Sequence, residues 1–193
     1  YIYDKLGQYT FKISAKSFYQ TNPIQTEVLY NKAIEFAKLN KEDILCDLYC
    51  GIGTIGISVA SKVKKVYGIE IVDEAVEAAK ENAKLNEINN VEFIAGDVED
   101  AFKQLIEEKG VKPTAIIVDP PRRGLDNTTI NKILELEVKR VVYVSCNPAT
   151  MVRDIKLLEE KYAVEKIQPV DMFPYTSHVE CVAVLEVKKT IEK

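Results

Sequence analysis

At 193 residues and 47% hydrophobic content, the chain has the size of one domain with a single substantial core. A formal net charge of -4 excludes a protein that grips nucleic acid by bulk positive charge. No apolar run approaches the roughly 20 residues that span a bilayer, and the opening YIYDKLGQYTFKIS lacks the basic-then-apolar layout of a signal peptide.

A soluble, cytoplasmic, monomeric protein without membrane contact is expected. The chain opens at Tyr1 without Met and runs at once into strand-like sequence, so residues 1–16 are expected to be the tail of an upstream region. Residues 9–13 alternate like a strand. TNPIQTEVLYNKAIEFAKL then reads as a helix, with Asn22 as its cap and Pro23 at the first helical position, where a missing N–H does no harm.

Strands are predicted at 44–48, 65–70, 91–96, 115–119, 140–145, 162–170 and 180–187, with helical patterns between most of them. The clearest helix is 73–86, which places Ala75, Val76, Ala79, Ala83 and Leu85 on one face and charges on the other. Alternating Val/Ile-rich strands and helices predict an α/β, Rossmann-like domain over 1–193, with a mostly parallel seven-stranded sheet and helices on both faces. The last two strands have only the loop DMFPYTSH (171–178) between them. They are expected to bring an antiparallel strand to one edge.

ILCDL runs into YCGIGTIG, where Gly51, Gly53 and Gly56 satisfy G-x-G-x-x-G, and Glu70 ends the next strand, placed to accept from ribose hydroxyls. Dinucleotide and S-adenosylmethionine loops share this pattern. Asp47, just before the first glycine, opposes a pyrophosphate and suits the cationic amino-acid part of S-adenosylmethionine. Asp97 follows the third of these strands, where an acid can accept from an adenine amino group, and Asp119 ends the fourth. The four cysteines, Cys46, Cys50, Cys146 and Cys181, form no CxxC pair, so reduced thiols and no metal are expected. Cys46 and Cys181 read as core residues. Cys146 stands at a strand end before Asn147–Pro148, on the edge that carries Asp119.

SFYQTN (17–22), DLYCGIGTIG (47–56), DPPRRG (119–124), VYVSCNPAT (142–150) and DMFPYTSHVE (171–180) occur in this order. Together they resemble the RNA uracil-5-methyltransferases, which make 5-methyluridine in transfer and ribosomal RNA. The resemblance implies a class I S-adenosylmethionine-dependent methyltransferase, yielding S-adenosylhomocysteine. Cys146 would be the nucleophile and Glu180 the general base, with Gln20, Tyr49, Gly51, Glu70, Asp97 and Asp119 at the cofactor. Full-length relatives carry an N-terminal RNA-binding β-barrel, and many an iron–sulfur cluster; either would belong to a longer protein, and RNA binding by 1–193 alone is expected to be weak. Overall likeness favours ribosomal RNA, 23S, over transfer RNA.

The chemistry suits these residues. Carbon 5 of uracil is a poor nucleophile until a thiolate adds to carbon 6, and a base must then remove the proton on carbon 5. The base must be flipped out or unpaired. Tyr49, Phe173 and Tyr175 are stacking candidates, Arg122 and Arg123 phosphate contacts, and His178 the rival base. An amino-directed methyltransferase fits less well, because Arg122 stands where its Asp-Pro-Pro-aromatic motif has the aromatic. An RNA cytosine-5 enzyme would show a second cysteine near DPPRRG. A non-catalytic RNA-binding module and an NAD oxidoreductase are the remaining alternatives.

Overall fold

The computed structural model describes residues 1–14 and 18–188. Ser17 of the SFYQTN motif therefore lies outside the described residues, as do 15 and 16 of the expected upstream tail. The chain begins with β1 (Ile2–Leu6) and β2 (Tyr9–Ile13), an antiparallel hairpin closed at Gly7–Gln8. The alternating pattern had indicated β2 without showing its partner.

α1 (Pro23–Ala37) starts as expected, the Asn22 side chain accepting from the Gln25 N–H at 3.2 Å. There follow β3 (Ile44–Leu48), α2 (Thr54–Val59), β4 (Lys65–Glu70), α3 (Asp73–Leu85), β5 (Val91–Ala95) and α4 (Val98–Phe102). The second half holds β6 (Ala115–Val118), α5 (Asn127–Leu136), β7 (Arg140–Ser145), α6 (Pro148–Leu158), β8 (Tyr162–Val170) and β9 (Glu180–Val187). No helix among the described residues is long and apolar enough to cross a membrane.

β3 to β9 make one seven-stranded sheet in the order β5-β4-β3-β6-β7-β9-β8. Its first five strands in that order are parallel, and β9 is antiparallel to both β7 and β8. The antiparallel pair forms at the sheet edge as predicted. The reversed strand is β9, one place in, and β8 is outermost; Pro169 is tolerated there because an outer strand has a free side.

Successive residues feed opposite faces. Leu45, Ile117 and Val142 pack under α1, α2 and α3, whereas Cys46, Ile116 and Val141 pack under α4, α5 and α6. Both faces are covered, which is why these strands read as nearly continuous apolar runs.

The predicted apolar face of α3 is right for Val76, Ala79 and Ala83 and wrong for Leu85, which is 48% exposed. Asn82 takes a core place instead, fully buried. Its amide accepts from the Lys12 N–H at 2.7 Å and donates to the Lys12 and Ile52 carbonyls, each at 3.3 Å. One turn later Asn86 accepts from the Thr10 N–H and donates to the Thr10 carbonyl, both at 2.8 Å. Two side-chain amides thus satisfy the open edge of β2 as a neighbouring strand would. Hydrophobic periodicity cannot register a buried amide whose partners are backbone groups distant in sequence.

Asn82→Ala is expected to destabilise the domain by about 1–3 kcal/mol for each buried polar group left without a partner. Urea denaturation checks this, and a change below about 0.5 kcal/mol would contradict it.

Candidate active site

The parallel register brings the carboxyl ends of β3, β4, β5, β6 and β7 to one edge, the side on which open α/β sheets bind ligands. The turn after β3 carries three positive φ angles, at Tyr49 (63°), Gly51 (53°) and Gly53 (83°). A Cβ on Gly51 would point into open space, while one on Gly53 would lie 2.7 Å from the Phe93 ring. One glycine thus opens the backbone to a ligand and the other admits close packing. Glu70 clamps this turn, accepting from the Gly51 N–H and the Val72 N–H, both at 3.0 Å.

Asp47 has a different place from the one its spacing suggested. It lies wholly buried beneath the loop, and its Oδ2 accepts from the Gly56 N–H at 2.8 Å. The other oxygen has no hydrogen-bond partner among the described residues. Burial and then the nearby Glu70 push its carboxyl up to about 7. A carboxyl already bonded inside the first turn of α2 disfavours the pyrophosphate a dinucleotide would place at that helix start.

Asp97 is exposed at the end of β5 and caps α4 through the Asp100 N–H at 2.9 Å. The neighbouring Gly96 N–H donates to the Glu70 carbonyl, so Glu70 and Asp97 follow joined strand ends. Tyr49 directs its hydroxyl to α5, 3.1 Å from Thr129 Oγ1 and 3.4 Å from Asp126. Gln20 is buried on the segment before α1. That segment is tied to the 171–179 loop, because Asn22 Nδ2 donates to the Met172 carbonyl at 3.0 Å.

The donor set fits S-adenosylmethionine. Glu70 retains lone pairs for a diol beside an open glycine turn, and acids at successive strand ends suit a cationic ligand better than an anionic one.

The second half of the site lies across β7 and β9. Ser145 pairs with Cys181 in the antiparallel register, so Cys146 and Glu180 occupy the next position outward, side by side. Cys146 is half-buried, while Cys46, Cys50 and Cys181 are buried; all four are free thiols. Glu180 is 4% exposed. Burial pushes its carboxyl up to about 7 against the opposing pull of Arg122. Asp119 is pushed up to about 8 by burial, then by Glu180 and Asp47. Burial, Glu180 and Asp119 raise the Cys146 thiol, and Arg122 opposes them. His178 is exposed, as is Tyr175, whereas Phe173 is half-buried against the core.

Three residues at this site escaped the sequence reading. Tyr30 on α1 brings a buried phenol to Asp119, Thr54 and Asp47. Its helical face was legible, but its direction toward the strand ends was not. Arg153 and Asp154, in the second turn of α6, reach the DPPRRG loop. No local pattern distinguishes them from solvated charges.

This sheet order, with its reversed penultimate strand and glycine turn after the first strand of the sheet, is that of class I S-adenosylmethionine-dependent methyltransferases. Residues 2–188 match the family model described as tRNA (Uracil-5-)-methyltransferase, and the chain belongs to that family. It is 53% identical over 189 residues to an uncharacterized RNA methyltransferase of Oceanobacillus iheyensis, covering 97% of this chain and 41% of that protein. A similarly named Bacillus cereus protein is 54% identical over 186 residues, with 96% and 40% covered. The chain thus spans about two fifths of these curated relatives.

Among solved structures, the Pyrococcus abyssi tRNA (uracil-54, C5)-methyltransferase in complex with S-adenosyl-L-homocysteine superposes with a TM-score of 0.80 at 35% identity, covering 95% of this chain and 44% of that one. The M. jannaschii tRNA m1G37 methyltransferase shares the fold with a TM-score of 0.71 at 22% identity, with 97% and 56% covered.

The raised carboxyls set a pH dependence. Asp47, Asp119 and Glu180 favour the folded state while protonated. That contribution is complete below about pH 4, where the unfolded chain is protonated too, and it is lost as pH rises through about 7 to 8. The melting temperature of the ligand-free domain is expected to fall between pH 5 and 8, by about 2–4 °C for each kcal/mol lost. Asp119→Asn should flatten the slope; a melting temperature that rises across this range would contradict it.

Proposed function

We propose that this chain is the catalytic domain of an RNA (uracil-C5-)-methyltransferase, which transfers a methyl group from S-adenosylmethionine to carbon 5 of a uridine through a covalent Cys146–carbon 6 adduct. The observation that carries this reading is the β7–β9 register, which sets Cys146 beside the buried carboxyl of Glu180.

The Gly51 turn and Glu70 would hold the ribose end of the cofactor and Asp97 the adenine. Gln20, Tyr49 and Asp119 are proposed as its further contacts. When bound, S-adenosylmethionine supplies an electrophilic methyl group on sulfonium. The Cys146 thiolate would add to carbon 6, and the electron pair released onto carbon 5 would take up the methyl group as its bond to sulfur breaks, with S-adenosylhomocysteine as the leaving group. Glu180 then removes the proton on carbon 5, the ring double bond re-forms, and the carbon–sulfur bond breaks to return the thiolate. A carboxyl pushed up to about 7 is matched to accepting and releasing a proton near neutrality. His178 fits the base role less well, because it stands exposed on the loop.

Overall likeness supports 23S ribosomal RNA as the substrate. Transfer RNA is the second reading, favoured by the match to the tRNA (Uracil-5-)-methyltransferase family and by the likeness to the Pyrococcus abyssi tRNA (uracil-54, C5)-methyltransferase. Mapping 5-methyluridine in RNA from cells lacking the full-length gene separates the two.

S-adenosylmethionine is expected to bind saturably in calorimetry of the full-length protein; binding of NAD with none of S-adenosylmethionine would overturn the cofactor assignment. In that protein Cys146→Ala should abolish methyl transfer while cofactor binding stays nearly intact. Glu180→Gln should slow release by about 10²–10⁴-fold and leave protein linked to methylated RNA on denaturing gels. Normal turnover by either variant would refute its assigned role.

A further inference from the structure

The loop that joins Asp119 to α5 carries Arg122, and it is pinned along its length by side chains of α6 and its cap. The Arg122 carbonyl accepts from Asn147 Nδ2 and from Thr150 Oγ1, both at 3.2 Å. Arg153 Nη2 donates to the Arg123 carbonyl at 2.8 Å and the Leu125 carbonyl at 3.3 Å. Asp154, fully buried, accepts from the Leu125 N–H and the Tyr143 hydroxyl through Oδ2, both at 2.7 Å. Its Oδ1 holds Arg153 through Nε at 2.8 Å and Nη2 at 2.7 Å. Gly124, at φ 79°, comes so close that an added Cβ would lie 2.4 Å from Asp154 Oδ2.

A buried carboxylate costs stability unless its lone pairs are satisfied. Here four donated hydrogen bonds satisfy Asp154, and two of its three partners belong to or hold the loop. Fold stability alone does not require a half-exposed arginine to collect two carbonyls of a surface loop. What the arrangement fixes is the backbone under Arg122. That residue's carbonyl is bonded to the side chain of Asn147, the neighbour of Cys146, and its guanidinium exerts a pull on both Cys146 and Glu180.

We propose that Arg153 and Asp154 are positioning residues for the methyl-transfer reaction, holding the 119–125 loop against α6 so that Arg122 stays beside Cys146 and Glu180. This rests on the reading of Cys146 as nucleophile. The charged and titratable groups facing Cys146 are Glu180 on β9, Asp119 at the end of β6 and Arg122 on the loop. The two acids oppose the thiolate and Arg122 favours it. A loop released from α6 would weaken the one favourable charge and leave the opposing two in place, since Glu180 lies on β9 and the Asp119 N–H is bonded to the Leu48 carbonyl of β3 at 3.3 Å.

The test uses the full-length protein. Iodoacetamide labelling of the Cys146 peptide is followed by mass spectrometry against pH, beside kcat and KM for methyl transfer. Asp154→Asn keeps an acceptor for Leu125 but turns an amide toward the Arg153 guanidinium. Arg153→Gln is the second variant, safer for folding because the Arg153 side chain is 54% exposed. Both should move the labelling midpoint upward in pH and lower kcat by about 10- to 100-fold, as misplaced groups do, with KM for S-adenosylmethionine within about twofold. In an Arg122→Ala background Arg153→Gln should add little to either effect. An unchanged midpoint with a lowered melting temperature would reduce the pair to a structural role and overturn the proposal. So would an equal loss of kcat with and without Arg122. Retained activity in Cys146→Ala would instead defeat the nucleophile assignment, while the labelling midpoint still reports where the loop sits.

Discussion

Adjacent positions on paired β-strands hold side chains about 5 Å apart with little freedom to drift, and the seam between β7 and β9 uses this constraint to join two reactive groups. Cys146 directly follows the last residue of one strand and Glu180 begins the other, and only an antiparallel pairing places an end beside a beginning. A parallel strand in the β9 position would carry Glu180 to the far edge of the sheet. The reversal of one strand thus determines whether the site contains both a thiol and a carboxyl or only one of them. The loop 171–179 follows from it, and so does the outer pairing with β8, the longest in the sheet.

The same edge gathers buried and half-buried carboxyls. Burial is the first cause of the shifts at Asp47, Asp119 and Glu180, and Asp119 is raised further by both Glu180 and Asp47. Ionising several of them together in a poorly solvated cluster is costly, so protons are retained near neutral pH. The arrangement suits a cationic ligand, which would relieve the repulsion. Arg122 is the counterweight, acting on both Cys146 and Glu180.

Two polar devices keep the surrounding chain in register. Asn82 and Asn86 hold the β1–β2 hairpin to α3, and Asn82 also binds the Ile52 carbonyl within the glycine turn. The hairpin at the start of the chain is therefore packed onto the layer that supports that turn. On the other side, Asp154 and Arg153 hold the loop after β6. Each device buries a polar side chain against backbone groups, which gives direction to a contact that apolar packing alone would leave loose.

Most of this architecture was legible in one dimension. The strand boundaries, the Asn22–Pro23 helix start, the glycine turn and the line of acids at strand ends follow from periodicity, capping chemistry and spacing, all local properties. Cys146 could be singled out because it stands at a strand end, and the structure leaves it less buried than the other three cysteines. The sequence did not show that β9 runs backward one place in from the edge, or that Leu85 faces water while Asn82 is buried. Nor did it show that Asp47 lies beneath its loop, or that Tyr30, Arg153 and Asp154 reach the site. Each of these depends on a partner distant in the chain, and a hydrogen bond to such a partner leaves no period in the sequence. Local propensities decided which segments became strands and helices; the pairing of β7 with β9 decided which side chains meet.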